Sequence, residues 1–402
     1  MRYRNKVAVV YLLGFFLDLI NMFIASVAFP AMAESLQASV SALAWVSNGY
    51  IAGLTVAILF SALLTRFIGA RRLFMLSLLL FSAAGLAAGF AGSLGSLIAW
   101  RVVQGLGGGL LIPVGQALAW QQFKPHERAK ISSAVMLVAL LAPACSPAVG
   151  GLLVELFGWR WIFFVTLPLA LLTLLLAGCW LKEEAKPAVS RRLLDLSLLK
   201  NSLLRFAMLI YLCVPGMFIG VSVVGMFYLQ RMMGLTPAVT GALMVPWSLA
   251  SALAISVTGR YFNRLGPRPL VMIGALLQAV GVVMLLLVTP STPLAMLIIS
   301  FALMGAGGSL CSSTAQSCAF LTIDNQAMPD ASALWNLNRQ LSFFIGATLL
   351  AFVLGLLQHA LPILIAYRGT FILAAIITLF PLLGALRLDN QYTLQQLKQE
   401  QP

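Results

Sequence analysis

Apolar runs of about 20 residues recur along this chain and are separated by short polar segments, the pattern expected of helices crossing a hydrocarbon layer about 30 Å thick. Windows of that length place twelve spans near 8–30, 43–63, 73–91, 97–120, 131–155, 161–181, 204–229, 237–259, 270–288, 294–319, 333–357 and 363–386. The longest polar stretch, Lys182 to Lys200, falls between the sixth and seventh spans and contains Pro187. It divides the chain into an N-terminal six-helix bundle (1–181), a linker (182–203) and a C-terminal six-helix bundle with a short polar tail (204–402). The predicted fold class is therefore an all-α integral membrane protein built from two pseudo-symmetric bundles.

The halves echo each other in sequence. RVVQGLGGGLLIPVGQALA from Arg101 returns as FALMGAGGSLCSSTAQSCA from Phe301, so Gly105, Gly107, Gly108 and Gln116 match Gly305, Gly307, Gly308 and Gln316. The loop after the second span resembles the loop after the eighth, with Gly69, Arg71 and Leu73 matching Gly266, Arg268 and Leu270. Repeated halves of this kind are how many secondary transporters are built, with a site near the midplane and alternating access.

Composition agrees with a bilayer environment. Hydrophobic residues make up 61% of the chain and charged residues 9%, against about 25% charged in soluble domains. The net charge of +14 is spread over short loops instead of forming one patch, so nucleic acid is not the expected partner. With a cytoplasmic amino terminus, 20 of the 25 lysines and arginines fall in inside segments. Arg160, Arg231 and Arg368 fall outside, and Arg101 and Arg339 lie within spans. This bias places both termini in the cytoplasm. The first span has no small-residue cleavage site and reads as a retained helix. Five cysteines fall in apolar stretches without metal-ligand spacing, which supports neither a disulfide framework nor a zinc site. His126 and His359 have no nucleophile or acid arranged around them, and the chain contains no phosphate-binding G-x-x-x-x-G-K-[ST]. An enzyme, and transport driven by ATP, are not expected.

The candidate chemistry lies inside the spans. Asp18 is about 11 residues, or some 16 Å, into the first span, where an ionised carboxylate is costly unless it faces an interior, finds a partner or takes up a proton. Arg101, near the outer end of the fourth span, either reaches inward toward the first span or extends to the outer interface. A guanidinium near Asp18 favours the carboxylate and desolvation favours the neutral acid, opposed influences that suit a proton carrier. Pro147, Gly150 and Gly151 are expected to bend and thin the fifth span. Arg339, beside Asn336, lines an inner cavity or contacts Asp324 and Asp330. Asn21, Asn48, Tyr50, Gln104, Gln116, Trp247, Gln278 and Gln316 supply further polar or aromatic atoms for a mainly apolar substrate cavity.

Five segments in order resemble the major facilitator superfamily, and within it the drug:proton antiporters that usually have fourteen spans. These are LDLINMFIASVAFP in the first span, WVSNGYIAG (Trp45, Tyr50) opening the second, RVVQGLGGG (Arg101, Gln104, Gly105, Gly107) in the fourth, SPAVGG in the fifth and GWRWIFFVTLP opening the sixth. The resemblance implies Asp18 as the proton site, Arg101 as its tuner, and Ser146, Pro147, Gly150 and Gly151 as the antiporter segment that seals the cavity. It implies gating loops at Arg66, Gly69, Arg71 and Arg72, and at Asn263, Arg264, Gly266 and Arg268. Three departures stand out. The acid of the gating loop is replaced by Arg66, its second-half counterpart is Asn263, and the first glycine of the antiporter segment is Ser146.

The expectation is a proton-coupled exporter of small amphipathic or cationic compounds in a bacterial inner membrane. It needs no cofactor beyond coupling protons and no metal, and is expected to work as a monomer with any periplasmic adaptor unspecified. The alternatives are a dedicated exporter of one metabolite, such as a sugar or amino-acid derivative, and a non-transporting scaffold or sensor, which the loss of the loop acid would suit.

Overall fold

The computed structural model describes residues 2–38, 40–182, 193–235, 237–387, 390 and 393–395. Much of the expected linker, 183–192 with Lys186, Arg191 and Arg192, lies outside the described residues. All regular structure among the described residues is helical. Numbering only the long helices, α1 is Tyr3–Ile24, α2 Val40–Ile68, α3 Ala70–Gly89, α4 Leu94–Gln121, α5 Pro125–Phe157 and α6 Trp161–Trp180. The second series is α7 Ser202–Gln230, α8 Met244–Leu265, α9 Pro267–Met284, α10 Leu294–Ala319, α11 Met328–Ala360 and α12 Ile363–Arg387. Among the described residues, eleven helices are long and apolar enough to cross a bilayer. The fifth expected span, 131–155, lies inside α5, a continuous helix of 33 residues.

Several helices overrun the apolar windows. Thus α2 continues to Ile68, α5 starts at Pro125 and α11 starts at Met328. A helix satisfies its own backbone whatever its side chains, so it ends at a cap and not where hydropathy falls. Gly69 (φ 91°) follows α2 and Gly266 (φ 74°) follows α8, both in backbone conformations that side chains disfavour. The first span stops earlier than expected: α1 ends at Ile24, and after a 3₁₀ turn the chain restarts as a short helix with Pro30 in its first turn. In α7, Pro215 sits in a π-helical turn, Leu212–Gly216.

The chain forms two compact units. The first contains residues 1–124, 137–196 and 323–337, and the second contains 125–136, 197–322 and 338–402. Inside the first unit, α4 packs on α2 and α3 through glycines. A Cβ on Gly105 or Gly109 would strike the backbone of Tyr50 or Leu54, one on Gly53 would strike Val102, and one on Gly107 would strike Phe81. Small residues of this kind let membrane helices approach to backbone contact. The second unit repeats the device, with Gly305 against the backbone of Trp247 and Gly307 against Gly274 and Gln278. The repeated glycines of the sequence thus do the same packing work in each unit.

Gly53→Ala is expected to destabilise the protein by about 1–3 kcal/mol through overpacking. Gly95→Ala is the control, because its Cβ would meet open space. Thermal unfolding in detergent should show a lower midpoint for the first variant only.

Candidate functional site

Asp18 and Asn21 share one face of α1 three residues apart, Val46 and Tyr50 share one face of α2, and Arg101, Gln104 and Gly108 share one face of α4. Inside the first unit these faces meet. Asp18, Tyr50, Arg101 and Gln104 are all 0% exposed. Arg101 therefore turns inward, and the expected alternative of an interfacial arginine does not hold. Its Nε donates to the Val46 carbonyl (3.2 Å), Nη1 donates to Asn21 Oδ1 and to Gln104 Oε1 (2.8 Å), and Nη2 donates to the Asn21 carbonyl (3.2 Å). Four of a guanidinium's five N–H groups are thus directed at neutral oxygens.

The charge also lies over aromatic faces, 4.3 Å from the Tyr50 ring centroid and 5.7 Å from that of Phe163. Tyr50 is the link to the acid: its ring lies under Arg101 and its hydroxyl donates to Asp18 Oδ1. Gly108 makes the junction possible, because a Cβ there would fall on both the Asp18 carboxylate and the Tyr50 hydroxyl. Gly85 of α3 similarly leaves room for Gln104, whose Nε2 would lie 2.6 Å from a Cβ. Among the described residues, Asn21 Nδ2 and Gln104 Nε2 are buried donors without an acceptor.

A second polar group in the same unit involves residues that are distant in sequence. Arg66, at the end of α2, donates to both oxygens of Asp330 at 2.9 and 2.7 Å, and both side chains are less than a tenth exposed. The Asp195 backbone N–H adds a bond to Asp330 (3.0 Å). Asn336 donates to Gln116 Oε1 (2.6 Å), Gln121 donates to the Asn325 carbonyl (2.8 Å), and Arg71 donates to the Gly178 carbonyl (2.9 Å). The end of α2 is therefore joined to the start of α11 by an ion pair. The charge partner of Asp330 is Arg66, not Arg339 as the sequence reading allowed.

In the second unit Asn263, the counterpart of Arg66, donates to the His126 carbonyl (2.5 Å), Arg128 donates to the Phe320 carbonyl and Ser133 donates to the Ile255 carbonyl (3.1 Å). Both counterpart positions thus fasten the start of a long helix, one with a charge pair and one with a neutral bond. Gln278 donates to the Val214 carbonyl (2.7 Å) beside the π turn, and Trp247 stacks on Phe218 with centroids 5.1 Å apart and an interplanar angle of 11°. Gln316 and Arg339 are buried in this unit.

Other expected site residues lie apart from these groups. Asn48 is exposed and does not join the Asp18 cluster, although Tyr50 two residues later does. Ser146 is buried and bonds back to the Ala142 carbonyl (2.5 Å) within α5. Gly150 is buried and Gly151 half-buried, while the side chain of Pro147 lies outside the described residues. Arg72 and Arg264 are exposed. Arg268 contributes its backbone N–H to Asn390 Oδ1 (3.1 Å), part of the bonding around the Gly266 turn. Residues missed as partners were Phe163, Gly108 and Phe218, and Asp330 was weighed as a partner of Arg339 but not of Arg66. Asp330 carried a signal, since the chain has only 11 acidic residues and this one stands three positions before an apolar window.

Comparison with known proteins accords with this geometry. Residues 11–347 match the Major Facilitator Superfamily, and the chain belongs to that family of membrane transporters. It is 26% identical over 401 residues to the multidrug resistance protein Stp of Mycobacterium tuberculosis (strain CDC 1551 / Oshkosh), covering 85% of this chain and 74% of that one. It is 30% identical over 181 residues to the multidrug export protein EmrB of Escherichia coli (strain K12), covering 45% of this chain and 35% of that one. These relatives accord with the drug:proton antiporter branch. In fold, the chain is similar to the proton:xylose symporter XylE (TM-score 0.72, 15% identity, 94% and 95% of the two chains). It is likewise similar to the human organic anion transporter MFSD10 (TM-score 0.76, 17% identity, 96% and 100%). The protein is a transporter and not an enzyme, and its relatives support drug efflux at the level of the family.

Arg101→Gln would leave several buried oxygens without a donor, at about 1–3 kcal/mol for each group that cannot re-pair. A strongly lowered unfolding midpoint is expected. Arg101→Lys, which keeps the charge but not the planar fork, should recover part of it.

Proposed function

We propose that this protein exports small amphipathic or cationic compounds across a bacterial inner membrane in exchange for protons, with Asp18 as the proton-carrying group. The observation that carries this reading is the buried chain Asp18–Tyr50–Arg101. A carboxylate in such a place is tolerated because Tyr50 donates to it and a fixed positive charge lies across the same ring. Taking up a proton removes the negative charge, and a bound cation would offset it in a different way. Proton and substrate thereby favour different states of the same site, which is the differential affinity that coupling requires. The unpartnered Asn21 and Gln104 amide donors offer hydrogen bonds to a substrate acceptor or to water. The stacked Trp247 and Phe218 offer an aromatic surface suited to flat or cationic compounds.

Alternating access requires contacts at the cytoplasmic ends of the helices to break and re-form. Arg66–Asp330 in the first unit, and Asn263 with Arg128 in the second, are placed to serve as these latches. The charge bias of the loops supports cytoplasmic termini. The Arg66–Asp330 pair supports transport over the scaffold reading that the missing loop acid motivated.

In inverted vesicles carrying an inward proton gradient, several unrelated cationic or amphipathic compounds should evoke proton release from wild type and none from Asp18→Asn. Release by the variant at the wild-type rate would overturn the role of Asp18, and a response to one metabolite alone would make the protein a dedicated exporter. For the latch, Arg66→Asp places two acids together and should reduce export by roughly tenfold or more, the equivalent of losing a buried charge-assisted bond worth about 1.5–3 kcal/mol. Combining Arg66→Asp with Asp330→Arg should restore much of it, and equal export by the single and double variants would reject the latch.

A further inference from the structure

The second unit contains a cavity of about 540 Å³ at the start of α7 and the end of α12, lined by Ser202, Arg205, Phe206, Leu209, Gly384 and Arg387. It is unrelated to the Asp18 cluster, which lies in the first unit. Its chemistry divides in two. Arg205 and Arg387 bring two exposed guanidinium groups to one opening, and among the described residues neither has an acidic partner. The remainder is apolar: Phe206 is buried, Leu209 is half-buried, and Gly384 is so close to the Phe206 ring that a Cβ would come within 2.9 Å of it. Like charges that share a cavity repel unless an anion sits between them. Guanidinium groups bind phosphate oxygens in a planar, often bidentate arrangement.

We propose that this cavity binds the phosphate of an anionic phospholipid, with the glycerol and the first acyl carbons lying against Phe206 and Leu209. A soluble phosphate would satisfy the arginines but gain nothing from the apolar wall, whereas a lipid uses both parts. Both arginines belong to segments that the loop-charge bias assigns to the cytoplasmic side. There anionic headgroups attract basic residues, and basic pockets between helices take lipid headgroups. The proposal rests on that orientation but not on drug export, so it can fail or hold independently of the transport reading.

The test uses the full-length protein in detergent micelles, titrated with phosphatidylglycerol or phosphatidylcholine and read by native mass spectrometry and by thermal unfolding. Wild type should retain phosphatidylglycerol in preference to phosphatidylcholine and gain thermal stability from it. The double variant Arg205→Gln/Arg387→Gln, if monodisperse, should lose affinity by at least tenfold, since each basic residue near a lipid surface is worth about fivefold. Lys130→Gln/Arg260→Gln, an equal change of charge at two exposed basic residues outside the cavity, should bind as wild type does. Equal retention by the double variant and wild type, or no preference between the two lipids, would overturn the proposal. So would displacement of the lipid by millimolar inorganic phosphate, which would make the cavity a site for a soluble anion.

Discussion

The first unit is organised around one buried positive charge. Arg101 cannot leave its place without stranding oxygens on two other helices, because it holds Asn21 of α1 and the Val46 carbonyl of α2 while it lies over Tyr50. The cost of burying an ion is met here by neutral dipoles and an aromatic face instead of a directly opposed carboxylate. That arrangement leaves Asp18 held by Tyr50, one step removed from the charge. The glycines of α4 are part of the same constraint. Gly105 and Gly109 bring α2 close enough for Tyr50 to reach the acid, and Gly108 vacates the space in which they meet.

The second unit keeps the packing but not the charge at the position of Arg101. Phe301 stands where the repeat has Arg101, Met304 where it has Gln104, and both are buried. Gly308 faces Gln278 as Gly108 faces Asp18. An amide donating to the Val214 carbonyl thus takes the place of the acid–tyrosine–arginine chain. Two copies of one scaffold have diverged at this position, one holding a guanidinium and the other an amide beside aromatic rings. The loops follow the same rule, with a charge pair at Arg66 and a neutral bond at Asn263.

Much of the architecture was legible in the sequence because membrane thickness imposes a length on every apolar segment. The glycine repeat was equally legible, since backbone contact between helices admits few other residues. Helix ends were not, because they depend on caps and on polar turns that hydropathy ignores. Those overrunning turns carry Arg66, Arg128 and Asp330.

By itself the sequence determined that the chain is a bundle of apolar helices, that its halves repeat, and that Asp18 and Arg101 lie within apolar spans. Only the tertiary structure decided which groups they meet. Arg101 could have extended to an interface, Asn48 could have joined Tyr50, and Arg66 could have been an empty gating position. The partner of Arg66 lies 264 residues away, and such a pairing depends on how helices are placed and turned against one another. Composition records the energy of burying a segment. It does not record the rotation that decides which of its side chains come face to face.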